Sequence, residues 1–126
     1  MDAYPITGGE PPATDTSALE RLERFGGGTL LRQMIALFLT AAPERIEATR
    51  GAAVRGDGAA AELALHSLKS SSAQLGAMRM QRLSEQGEHL ARNGALEGLG
   101  EITRQLNDEL VRVRDWLSRA RDEATT

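Results

Sequence analysis

Ala59-Ala-Ala-Glu-Leu-Ala-Leu-His66-Ser-Leu-Lys69-Ser-Ser-Ser-Ala-Gln-Leu75-Gly76 is the stretch from which the rest of the chain is read. Wound at 100° per residue, Ala61, Leu65, Leu68, Ser72 and Leu75 fall within about 80° of arc, the apolar stripe of a helix packed on other helices. His66, Lys69, Ser70 and Ala73 share a different flank, centred about 120° away, so His66 points out of the core. Gly76 ends this helix, and Gly56-Asp-Gly58 precedes it as a turn in which Asp57 can cap.

Helical spacing continues on both sides. Upstream, a short helix with Asp15, Thr16 or Ser17 as cap places Leu19, Leu22 and Phe25 on one side and stops at Gly26-Gly-Gly28. A second begins near Thr29 with Leu30, Met34, Leu37, Phe38 and Ala41 as its stripe, extended by Ile46 and Val54 to about Arg55. Pro43 inside it implies a kink or a restart. Downstream, a helix over about 77–92 has Met80, Leu83, Gly87 and Leu90 as core positions, and Asn93-Gly94 closes it. The last runs over about 96–121 on a seam of Leu99, Ile102, Leu106, Leu110, Val113 and Leu117.

Long helices joined by short turns alternate direction, so the expected fold is all-α: an up-down-up-down antiparallel four-helix bundle with a short additional N-terminal helix. The bundle spans 17–122, between a flexible N-terminal tail over 1–16, rich in proline and glycine, and a C-terminal tail over 123–126. Composition agrees. Of 126 residues, 3% are aromatic, and no stretch alternates long enough to read as a strand.

The same numbers exclude several functions. A formal charge of −3 with both signs interspersed leaves no basic stripe for nucleic acid. Without cysteine there are no disulfides, thiolate metal sites or cysteine nucleophiles. The N-terminus lacks the basic and apolar regions of a signal peptide, and the apolar run from Met34 to Ala42 is far short of the roughly 20 residues of a membrane span. A soluble, cytoplasmic monomer is the expectation.

Within that frame His66 is the residue to explain. Lys69 is the one lysine among 15 basic residues and stands one turn from one of only two histidines. A histidine on a bundle flank can be a solvated surface residue, a metal ligand or a phosphoryl acceptor. Metal is disfavoured: two histidines and no cysteine make few ligands, and Glu85 with His89 misses the Glu-x-x-His spacing of di-iron bundles. A phosphoryl acceptor must be exposed and nucleophilic near neutral pH, which imidazole provides, and a neighbouring cation offsets the incoming charge. Lys69, at i+3, is that cation. Small neighbours at Ser70 and Ala73 leave the ring accessible.

At this point the sequence resembles a family. His66-Ser-Leu-Lys69-Ser-Ser-Ser-Ala-Gln-Leu-Gly76 is similar to the His-x-Leu-Lys-Gly-(Ser/Ala)-x-x-x-Leu-Gly signature of histidine-containing phosphotransfer (HPt) domains. Phe25-Gly-Gly, Leu37-Phe-Leu and Ala42-Pro-Glu-Arg-Ile resemble the family's approach to the motif, so the likeness runs from about Leu19 to Leu117. Ser70 departs from it, because glycine is usual there.

The resemblance implies a phosphorelay signalling intermediate. His66 accepts a phosphoryl group from an aspartate of a response-regulator receiver domain, or from a sensor or hybrid histidine kinase, and passes it to another receiver. Lys69 stands beside the phosphoryl group. Glu88 matches a position that in some members accepts a hydrogen bond from the inner ring nitrogen, although a solvated surface carboxylate is an equal reading. The family implies no cofactor on this chain, with Mg²⁺ held by the receiver, and no ATP site. No Gly-x-x-x-x-Gly-Lys-(Ser/Thr) loop exists here. The alternatives are a helical module that docks a receiver without phosphotransfer, an autonomous enzyme, and a kinase dimerisation domain, whose histidine usually precedes an acid where this chain has Ser67.

Overall fold

A computed structural model describes residues 11–124. Helix α1 covers Thr16–Arg55, α2 Gly58–Leu75, α3 Met78–Arg92 and α4 Leu99–Glu123, the last entered through a single 3₁₀ turn at Leu96–Gly98. Each helix packs on its sequence neighbours and α1 returns to α4, which closes the antiparallel bundle. Asp15 caps α1 by accepting from the Ser17 amide at 3.0 Å, and Asp57 caps α2 through the Ala60 amide at 3.0 Å. Left-handed Gly56 and Gly76 terminate α1 and α2.

The expected short first helix is the opening of α1, set off by Gly27, whose φ of 74° and ψ of −177° break the helical path. Pro43 neither ends nor restarts the helix, which runs through it to Arg55. Of the tail expected over 1–16, residues 1–10 lie outside the described chain, and the rest is held in place. Ala13 O accepts from the amides of both Met78 and Arg79, and the Asp15 amide donates to Gly76 O at 2.8 Å. Those two amides are first-turn donors of α3, whose own cap position, Ala77, has no side chain able to accept. Residues 125–126, the end of the expected C-terminal tail, also lie outside the described chain.

The stripes expected for α2 and α4 are buried residue for residue. In α3, Met80, Leu83 and Gly87 are buried and Leu90 half-buried. Helix α1 differs. Its buried line is Leu31, Ile35, Phe38, Ala42, Ile46, Thr49 and Ala52, while Leu30, Met34 and Ala41 are half-buried and Leu37, Val54 and Phe25 are exposed. Two apolar strips run along α1 about one residue, or 100°, apart. The buried one stays apolar or small beyond Pro43, through Ile46, Thr49 and Ala52, whereas the Leu30–Leu37 strip runs into Arg45. Only the first can line a core over the full helix.

With the second strip added, α1 is long and apolar enough, by length and composition alone, to cross a membrane. In the bundle that excess is split between a core face and an outward face.

Candidate functional site

His66 sits on the outward flank of α2, its side chain 60% exposed, as the helical phase requires. Glu88 comes to it from α3 and is not a solvated carboxylate: its side chain is 4% exposed. Close approach of the two helices explains this. A Cβ at Gly87 would stand 2.9 Å from Leu65 Cδ1 of α2 and 3.2 Å from Ile102 Cγ2 of α4, so the absence of a side chain there favours close packing of α3 on both helices. The adjoining residue, Glu88, is thereby drawn into the seam.

The carboxylate is shared. His66 Nδ1 lies 2.9 Å from Glu88 Oε2, and Lys69 Nζ lies 2.8 Å from Oε1. Burial pushes the Glu88 carboxyl up, but hydrogen bonds and charge from Lys69 and His66 outweigh it and hold the group below the usual glutamate value. Glu88 is therefore ionised near neutral pH. An ionised carboxylate only accepts, so Nδ1 is the donor and the ring's lone pair is left on Nε2, its other nitrogen. One buried acid thus sets the tautomer of an exposed imidazole and anchors the neighbouring ammonium.

Two further residues complete the surface. Arg92, one turn after Glu88, places Nη2 3.7 Å from Glu88 Oε2 and pairs through Nε with Glu62 Oε2 at 2.8 Å. Glu62, one turn before His66, comes from α2. With Ala59, Leu63, His66, Lys69 and Glu88 they line an open depression of about 490 Å³. Sequence reading passed over Glu62 and Arg92, although spacing at i−4 from His66 and i+4 from Glu88 placed each on the right face. Ser70 is exposed beside the ring, and His89 is exposed elsewhere on α3. Among the described residues no cluster of three or more metal-ligating side chains occurs.

A second feature adjoins this one. The outward strip of α1 lines two grooves with α2: Leu22, Phe25 and Met34 with Gln74, then Met34, Leu37 and Ala41 with Ser71 and Gln74. Phe25 is 88% exposed and Leu37 67%. Gln74 lies two turns along α2 from His66 and about 80° round the helix, so both stand on its outward side.

Known proteins share this fold. The Hpt domain family matches residues 33–116. The crystal structure of histidine-containing phosphotransfer protein B from Pseudomonas aeruginosa PAO1 superimposes with a TM-score of 0.83 at 24% identity, over 90% of this chain and 97% of that one. The HPT domain of a sensor hybrid histidine kinase from Shewanella gives a TM-score of 0.72 at 21% identity over the same shares. At these identities the two structures speak for the fold. No curated protein sequence matches the chain.

Proposed function

The chain belongs to the Hpt domain family, phosphorelay intermediates of two-component signalling, and from that premise we propose that His66 is the residue that carries the phosphoryl group. Hpt domains exchange phosphate with receiver domains and histidine kinases. The observation that carries the assignment is the 2.9 Å contact between His66 Nδ1 and the buried Glu88 carboxylate, on a ring otherwise open to solvent.

Chemically, the Nε2 lone pair attacks phosphorus of a receiver's aspartyl phosphate. An N–P bond forms, the P–O bond to the aspartate breaks, and its electron pair leaves on the carboxylate. The ring keeps its Nδ1 proton and gains positive charge. Glu88, already hydrogen-bonded to that proton, stabilises the charge as it develops and needs no reorganisation to do so. Lys69 faces the transferred group, which arrives with two negative charges. Transfer to a second receiver is the same step reversed.

The remaining assignments belong to this reading. The apolar strip with Phe25, Met34 and Leu37 is the seat of the receiver, because it borders Gln74, on the same outward side of α2 as His66. Mg²⁺ is held by the receiver and not by this chain, which binds no ATP and works as a carrier. It acts as a cytoplasmic monomer, apart from membrane and nucleic acid. The test is to incubate the protein with ³²P-phosphorylated receiver domains. Wild type acquires acid-labile label and His66→Gln does not; equal label in both, or none with every receiver tried, removes His66 from the role.

A further inference from the structure

Glu88 Oε1 is buried and, apart from its ion pair with Lys69, has no hydrogen-bond partner. If Lys69 turns fully to a phosphoryl group on His66, the buried carboxylate loses the ammonium that pairs with it, which is costly. A replacement stands beside it. Arg92 is 51% exposed, held at 2.8 Å by Glu62, and its Nη2 lies 3.7 Å from Glu88 Oε2, the carboxylate oxygen that also meets His66, too long for a hydrogen bond. Its guanidinium carries five donors in a fork suited to bridging two carboxylates, and it shares a helix face with Glu88.

We propose that Arg92 is a positioning residue for the transfer: as Lys69 swings from Glu88 to the phosphoryl oxygens, Arg92 closes onto Glu88 and takes over as its counter-ion. This rests on His66 as the acceptor. Before transfer, Glu62 and Glu88 balance Lys69 and Arg92. The transferred group brings two negative charges while the ring gains one positive, so the cluster becomes one charge more negative and draws Lys69 to the phosphoryl oxygens; the 3.7 Å gap is short enough for a side-chain rotation to bring the guanidinium onto Glu88. Glu62 sets the resting position of the guanidinium and keeps it from neutralising Glu88 too early. Arg92 acts through Glu88 and touches neither the ring nor the phosphorus.

The experiment phosphorylates the intact protein with phosphoramidate, in which the N–P bond to His66 forms as the donor's P–N bond breaks and ammonia leaves, so no partner protein is required. Rates are compared for wild type, Arg92→Gln and Arg92→Lys, and the ¹⁵N resonance of the Lys69 ammonium is followed before and after labelling. Arg92→Gln is expected to slow labelling about tenfold, the scale of one charge-assisted contact, with Arg92→Lys recovering most of the loss. The Lys69 resonance shifts on labelling in wild type and stays near its starting value in Arg92→Gln, a readout that a purely structural role would leave unchanged. Label on wild type with Arg92→Gln within twofold of it, or the same Lys69 shift in both, overturns the counter-ion exchange alone. Absence of label at His66 in wild type overturns the acceptor assignment and the exchange with it.

Discussion

Glu88 is the residue on which the site turns, because it combines burial, a tautomer-setting hydrogen bond and an ion pair in one side chain. Replacing it by glutamine keeps the shape and removes the charge, so the ring's developing positive charge faces a dipole instead of an anion. Glu88→Gln is expected to slow phosphotransfer about tenfold while leaving helicity intact. The same substitution alters the response to acid. A carboxyl held below its unfolded value contributes stability that is fully present above the unfolded pKa, near 4.5, and is lost as pH falls through the lower folded pKa. Unfolding free energies measured from about pH 6 to about pH 3 should decline more steeply for wild type than for Glu88→Gln. Parallel curves would show that the carboxylate gains nothing from Lys69 and His66 in the folded state.

Among the elements, the turn between α2 and α3 ties the N-terminal segment to the helix that carries Glu88. Gly76 adopts φ of 76°, and a Cβ there would stand 2.3 Å from Asp15 O, a backbone atom that cannot move aside without breaking the contacts from Ala13 and Asp15. Gly94 has nearly the same φ, 78°, with open space where its Cβ would be. The pair separates two costs. Gly94→Ala should lose about 1 kcal/mol from left-handed strain alone, and Gly76→Ala at least about 2 kcal/mol, read from denaturant unfolding. Equal losses would mean that the N-terminal segment yields freely. Helix α1 makes the complementary point: Leu22 and Met34 of its outward strip lean on the core, whereas Phe25 and Leu37 stand exposed beyond it.

At the scale of the whole molecule, His66, Ser70 and Gln74 stand on the outward side of α2, and Gln74 borders the grooves that Phe25 and Leu37 of α1 line. Phe25→Ser combined with Leu37→Ser is expected to weaken receiver binding at least tenfold, measured by calorimetry, with the melting temperature unchanged, since neither side chain is buried. A matching fall in melting temperature would place these residues in the fold instead. The four-helix bundle, the α2 and α4 cores and the shared flank of His66 and Lys69 were legible in the sequence, because helical periodicity alone decides which side chains share a face, although the short first helix proved to be the opening of α1. Only the tertiary structure decided which of two apolar strips of α1 turns inward, that Glu88 is buried and shared, that Arg92 and Glu62 join it, and that Ala13 caps α3. Each of those depends on how closely segments distant in sequence approach, as Gly87 of α3 does Leu65 of α2 and Ile102 of α4, and no local pattern records that distance.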